Sequence, residues 1–223
     1  MNEEIIIRRA TTDDINFLVD AIVAAEKSGT DNFGLAKLFE LSEEEMREFI
    51  KAMLDEEIDG CEFSISSFIV AETNFEVVAA FAGWIEGLNE DGLSSAILKS
   101  NLVGYYLPVE NVKNSQSKSD IVRPLQIERE EGTYQLEYSY TLPRYRGQGI
   151  LGLIMKAHEQ EAAAKGVKKM QVHVFDNNQA AIQSYEKQGF KITKCYKSVH
   201  PETSRYYPSN VELLMEKFLI IKS

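Results

Sequence analysis

Apolar residues recur along this chain with two periods, and the changes of period mark its elements. Ile5 to Arg9, IIIRR, predicts a short strand. Thr11 and Thr12 are placed to cap a helix, with Asp13 and Asp14 in a first turn where negative charge suits the dipole. Ile15, Leu18, Val19, Ile22 and Val23 give that helix one apolar face. Ser42 followed by Glu45 predicts a capping box. Met46, Phe49, Ile50, Met53, Leu54 and Ile58 then continue at three-four spacing toward a stop at Gly60. SISSFIVAET and VVAAFAGWIEG read as two strands of a hairpin linked through Asn74 to Glu76.

From Leu88 to Gly132 the periodicity is lost. A short helix is predicted around Ser94 to Leu102, followed by a polar run, NVKNSQSKSD, without period. This reads as an insertion with a mobile segment, not a separate domain. TYQLEYSYTLP then alternates strictly. It predicts a strand with Tyr134, Leu136, Tyr138, Tyr140 and Leu142 on one face and Gln135, Glu137, Ser139 and Thr141 on the other. A helix follows, carried by Ile150, Leu151, Ile154, Met155, His158 and Ala162. KKMQVHVF is the next strand, and Asn177 or Asn178 is placed to cap AAIQSYEKQ, which Gly189 ends. FKITKCYKS and VELLMEKFLI close the chain as strands. This order is α/β, an α+β mixed sheet with helices on its faces, in one domain spanning 1–223 with an insertion at about 88–132.

Composition adds limits. The 223 residues are 44% hydrophobic and 26% charged, with a formal net charge of -11. That acidity disfavours nucleic acid and anionic membrane surfaces as partners and leans toward a small cationic substrate. Cys61 and Cys195 form no CxxC pair, so neither a disulfide framework nor a metal site is expected. MNEEIIIRRATTDD does not read as a signal peptide, and no apolar run reaches membrane-span length, so the expected location is cytoplasmic.

The chemistry concentrates in LPRYRGQGILG, Leu142 to Gly152. A helix start leaves about four backbone N–H groups without partners and carries roughly half a positive charge. Gly147 and Gly149 let those amides converge on an anion, and Arg144 and Arg146 add charge. No Gly-Lys-Ser/Thr follows, so this is not a P-loop. The glycines at 147, 149 and 152 fit GxGxxG only loosely and lack the βαβ context of a dinucleotide site.

Arg144-Tyr145-Arg146-Gly147-Gln148-Gly149 resembles the Q/R-x-x-G-x-G/A motif of the GCN5-related N-acetyltransferases. One strand later, the run from Asn178 to Tyr185-Glu-Lys-Gln-Gly189-Phe190 resembles that family's second signature. The resemblance implies the GNAT acyl-CoA N-acyltransferase fold: a central, mostly antiparallel mixed sheet flanked by helices, with the insertion before the fourth strand. It implies acetyl-CoA as cosubstrate, its pantetheine arm lying in a splay between the strand ending at Leu142 and the strand from Lys168 to Phe175. Amides near Thr141 and Leu142 would hold the arm, those of Arg146, Gly147, Gln148, Gly149, Ile150 and Leu151 the pyrophosphate, and Asn178 would touch the arm.

The resemblance further implies transfer to a primary amine by direct attack. A lysine-like amine with a pKa near 10.4 is neutral in only about one molecule per thousand at pH 7, so a base is needed. Tyr185 is the expected acid for the departing thiolate. Glu137 is the expected base, with His173 as the second candidate. His158 and His200 have no supporting constellation, and Trp84 is either core or acceptor wall. Tyr105, Tyr106 and Arg123 of the insertion are expected to border the acceptor site. The acceptor stays open among a small amine, an amino acid and a peptide amine, and a homodimer pairing through the last strand is a further expectation. Two other readings stand beside this one: a non-catalytic acyl-CoA-binding or sensing domain, which would lack the acid–base pair, and a nucleotide-binding regulatory domain.

Overall fold

The computed structural model describes residues 4–56, 58–126 and 128–220. The first half runs β1 (Ile6–Arg9), α1 (Ile15–Lys27), α2 (Gly34–Leu38), α3 (Glu43–Leu54), β2 (Phe68–Thr73) and β3 (Glu76–Ile85). The insertion holds α4 (Ser95–Tyr106), α5 (Val109–Gln116) and α6 (Ser119–Val122). Then come β4 (Tyr134–Thr141), α7 (Ile150–Ala164), β5 (Lys169–Phe175), α8 (Gln179–Lys187), β6 (Lys191–Lys197), α9 (Thr203–Tyr206) and β7 (Val211–Phe218). The seven strands form one sheet in the order β1-β2-β3-β4-β5-β7-β6. Among the described residues only the β4–β5 pairing is parallel. No helix among the described residues is long and apolar enough to cross a membrane.

The sheet separates two apolar cores. One lies under α1 and α3 and includes Leu18, Ile22, Ile50, Leu54 and, from α4, Leu98 and Leu102. The other lies under α7 and α8 and includes Ile154, Met155, Val172, Tyr185 and Met215. His158 clamps α7 to the sheet: one ring nitrogen meets the Phe81 carbonyl at 3.0 Å and the other the Tyr134 hydroxyl at 2.9 Å. Burial lowers its pKa to about 4, so it is neutral in the fold.

The local signals act largely as the sequence predicts. Ser42 and Glu45 form the capping box of α3, and Asn74 and Phe75 turn the β2–β3 hairpin with φ of 49° and 62°. Five predictions are corrected. Helix α3 ends at Leu54, so Ile58 lies beyond it, and Ile65–Ser67 form a 3-10 turn ahead of β2.

The polar run of the insertion is helical, as α5 and α6. No residue of α5 is buried, which is why no apolar period marks it. Side chains tie it down instead: Asn111 donates to the Phe39 carbonyl at 2.7 Å, Asn114 to Glu40 at 2.8 Å and Lys118 to the Leu38 carbonyl at 2.9 Å.

The last strand, β7, lies between β5 and β6 with both edges hydrogen-bonded, so pairing with a second copy through it is closed; the outer strands are β1 and β6. The strict alternation of β4 also fails. Ala80 pairs with Tyr140 but Ala82 with Glu137, so Tyr138 and Ser139 together oppose Phe81. This is a bulge, and Tyr138 carries it with φ of 59°. Tyr134 and Leu136 enter the α7 core, whereas Tyr138 and Tyr140 pack on the α1 side.

Candidate active site

The bulge sits where β4 leaves its parallel neighbour. β4 and β5 pair only from Tyr134 with Met170 to Leu136 with Val172, and beyond that the two strands diverge. Because the bulge reverses the alternation, Glu137 and Tyr138 serve the α1 side, while Ser139 turns to the α7–α8 side. There the Ser139 and Tyr185 hydroxyls are 2.8 Å apart. Tyr185 is 3% exposed, with its ring stacked on Phe81 and tilted against Phe190. Burial, opposed by the Ser139 hydrogen bond, raises its pKa to about 12, so it keeps its proton across the neutral range. Ser139 has no signature in the sequence; the alternation of β4 assigns it to the other face.

The turn after β4 places the second part. Gly147 and Gly149 have φ of 75° and 79°, the left-handed region that glycine enters without strain. Gly149 is the N-cap of α7. Tyr145 and Arg146 donate back to Leu142 and Pro143, and Gly152 and Leu153 both donate to Gly149. The amides of residues 147–151 between them donate to no acceptor within the described chain. Five consecutive free N–H groups at the positive end of a fifteen-residue helix have the arrangement an anion cradle requires. A Cβ at either glycine meets nothing within 4 Å, so the concavity is open. The Ile150 and Leu151 side chains face the α7 core, so these residues offer backbone only.

The arginines serve the turn's shape. Arg144 is hydrogen-bonded to Glu76 and lies over the Tyr145 ring, and Arg146 donates to the Thr141 carbonyl at 3.1 Å. Gln148 donates to the Arg144 carbonyl at 3.2 Å. Leu142 donates its N–H to Val78 on β3 at 2.9 Å, which takes that amide out of the splay. Alternation along the strand then turns the Thr141 amide toward β5. Asn178, not Asn177, caps α8, accepting from the Ala181 N–H at 3.2 Å and leaving its own amide group unspent.

On the α1 side a chamber gathers charge. Glu137 is bound by Arg129, which also reaches Glu62 at 3.5 Å. Lys99 of α4 donates to Glu62 at 2.9 Å. Glu62 is fully buried; burial raises its proton affinity, but the Arg129 and Lys99 charges outweigh this and hold it below the usual carboxylate range. Glu137 moves the other way: burial and the nearby Glu62 prevail over Arg129 and raise its pKa. Glu26 of α1 accepts from the Tyr138 hydroxyl at 2.9 Å, and burial likewise raises its pKa. His173, one strand from Glu137, is lowered to about 3 by burial and by Arg129. From β7, Glu212 is raised to about 8 by burial and by repulsion from Glu137 and Glu26.

The insertion therefore reaches the chamber through Lys99 and Arg129, not through the residues the sequence suggested. Tyr105 is 80% exposed, Tyr106 donates to Glu56, and Arg123 pairs with Asp120 on the surface. Trp84 is 5% exposed and lies under Arg129, with its indole N–H on Glu86 at 3.0 Å.

Comparison with known proteins adds independent findings. A model described as the acetyltransferase (GNAT) family matches residues 35–190. An N-acetyltransferase of Bacillus subtilis (strain 168), YycN, itself uncharacterized, is 37% identical over 81 residues, 34% of this chain and 52% of that protein. The match thus spans about half of that relative's length. The crystal structure of an N-acetyltransferase from Staphylococcus aureus Mu50 aligns with a TM-score of 0.67 at 16% identity, over 95% of this chain and all of that one. The PaiA N-acetyltransferase of Thermoplasma acidophilum, solved with coenzyme A, aligns with a TM-score of 0.54 at 13% identity, over 97% and 99%. At these identities the two structures speak for the fold.

Proposed function

The chain belongs to the acetyltransferase (GNAT) family, and from that premise we propose that it transfers an acetyl group from acetyl-CoA to a primary amine by direct attack. Acetyl-CoA supplies a thioester-activated acyl group. The residues present suit it: the free amides of residues 147–151 would take the pyrophosphate, and Thr141 and Asn178 would line the arm. Glu137 takes the proton that the ammonium must lose, directly or through water. Its raised pKa brings it nearer to the amine's, and a general base works best when so matched. His173 is the weaker candidate, because at about 3 its imidazole holds a proton poorly. Tyr185 donates its proton to the thiolate as the C–N bond forms and the C–S bond breaks, and Ser139 orients the hydroxyl.

Direct attack is favoured because neither cysteine is suited to carry the acetyl group. Cys61 is buried, with its thiol pushed up to about 11, and Cys195 is exposed on the outer strand β6. The observation that carries the reading is the buried Tyr185 hydroxyl, 2.8 Å from Ser139, at the point where β4 and β5 part. It also weighs against a purely sensing role, which needs no acid.

A titration against acetyl-CoA, ATP and NAD, paired with kinetics of Tyr185→Phe, tests it. Acetyl-CoA is expected to bind tightest, and Tyr185→Phe to retain that affinity while losing about 10²–10⁴ in kcat, the scale of a missing general acid. Unchanged turnover in Tyr185→Phe removes the acid assignment; preference for ATP or NAD removes the cradle assignment.

A further inference from the structure

The chamber on the α1 side holds more carboxylates than the reaction uses. Glu137, His173 and Glu212 share one face of β4, β5 and β7, because Val172, Val174, Leu213 and Met215 occupy the other. Glu26 and Glu62 close over this face, and the charge of each is felt at Glu137, Tyr138 or both. Against these four carboxylates stand, among the described residues, two cations, and both are committed: Lys99 to Glu62, and Arg129 to Glu62 and Glu137.

Glu26 and Glu212 make no ion pair among the described residues. Among the described residues Glu26 receives only the Tyr138 hydroxyl, and Glu212 receives no side-chain hydrogen bond. Two further polar atoms in the same chamber are buried without a partner. They are Oε2 of Glu62, on a residue with no exposed surface, and Nε2 of His173. Partly buried carboxyls that lack counter-charges keep their protons, and a bound cation is the simplest group that would let them ionise.

Position gives the cation a shape. Glu212 faces Phe175, two residues further along β5 than His173 and two strands over from Glu137. Strand spacing and rise put the Cα atoms of Glu137 and Glu212 at least about 12 Å apart, more where the strands splay. An amine that reacts beside Glu137 and carries one positive centre therefore leaves the Glu26–Glu212 end unmatched.

Resting on the acetyltransferase reading, we infer that the acceptor is a diamine: one nitrogen reacts at Glu137, and a second, cationic nitrogen several methylenes away is held between Glu26 and Glu212. The far ammonium stays protonated and takes no part in bond making. It fixes the reach of the chain, so Glu26 and Glu212 determine specificity. An amino acid or acidic peptide would bring a carboxylate into a chamber that already repels one.

The experiment compares linear diamines of increasing length with the matching monoamines and with free amino acids, reading kcat and KM from coenzyme A release. Diamines above a threshold length are expected to exceed monoamines in kcat/KM by about tenfold or more, mainly through KM. Glu212→Gln and Glu26→Gln are each expected to collapse that preference, and Glu212→Asp, which keeps the charge, to restore part of it. Equal use of monoamines, preference for amino acids, or a preference unmoved in both Gln variants overturns the inference. Release from no amine at all would instead strike the acetyltransferase reading, so the two failures are distinct.

Discussion

Glu212 shows what single residues contribute here. It stands in VELLMEKF, an otherwise apolar strand, and its carboxyl is raised from an ordinary 4.5 to about 8. Below pH 4.5 it is protonated folded or unfolded. Between 4.5 and 8 the folded chain holds a proton that the unfolded chain has lost, so stability falls as pH rises through this window. Glu212→Gln removes that dependence and is expected to stabilise the chain by about 1–3 kcal/mol at pH 8 and by little at pH 4.5, after allowing for its partial exposure. Urea midpoints of both proteins at the two pH values check this; an equal difference at both contradicts it. The motif residues Tyr185 and Asn178 were legible because their spacing is local. Glu26, Glu62, Lys99, Arg129 and Glu212 come from five separate parts of the chain. A charged residue inside an apolar run, as in CEF and VELLM, was their only available signal.

The decisive elements are β4 and the turn that follows it. The sequence showed the turn, because glycine marks positive φ and a helix period begins at Ile150. It did not show the bulge, because a tyrosine at φ of 59° carries it and no glycine announces it. That one extra residue sends Ser139 to Tyr185 and Tyr138 to Glu26, so the site depends on a feature that alternation alone misassigns. The helix α5 was hidden for a different reason: side-chain hydrogen bonds, not an apolar face, hold it. Gly149→Ala tests the turn. An L side chain at φ of 79° costs about 1–2 kcal/mol and tilts the first amides of α7. The variant is expected to melt earlier and to bind acetyl-CoA more weakly by about tenfold, with the acceptor KM little changed. Unaltered acetyl-CoA affinity would mean that these amides are not the anion site.

At the scale of the molecule, one sheet holds two chemistries apart. The free amides at the start of α7 and the Tyr185 hydroxyl belong to one side, and the carboxylate chamber under α1 and the insertion belongs to the other. They come nearest where β4 and β5 cease to pair. Most of the strand and helix order was legible from periodicity, and the two motifs added the parallel neighbours β4 and β5, but the place of β7 between β5 and β6 was not legible. The contents of the chamber were not, because they depend on how the insertion folds back over the sheet. Its Leu98 and Leu102 are part of the α1 core, so removing it would disturb the fold as well as the charged chamber.

The central claim is acetyl transfer to an amine. Its most direct measurement is mass analysis of the amine after incubation with acetyl-CoA and the protein, alongside free coenzyme A. The account predicts an N-acetylated product equal in amount to the coenzyme A released, dependent on the amine and nearly lost in Tyr185→Phe. Coenzyme A release with no acetylated amine, or tight acetyl-CoA binding with no release for any amine, would contradict it.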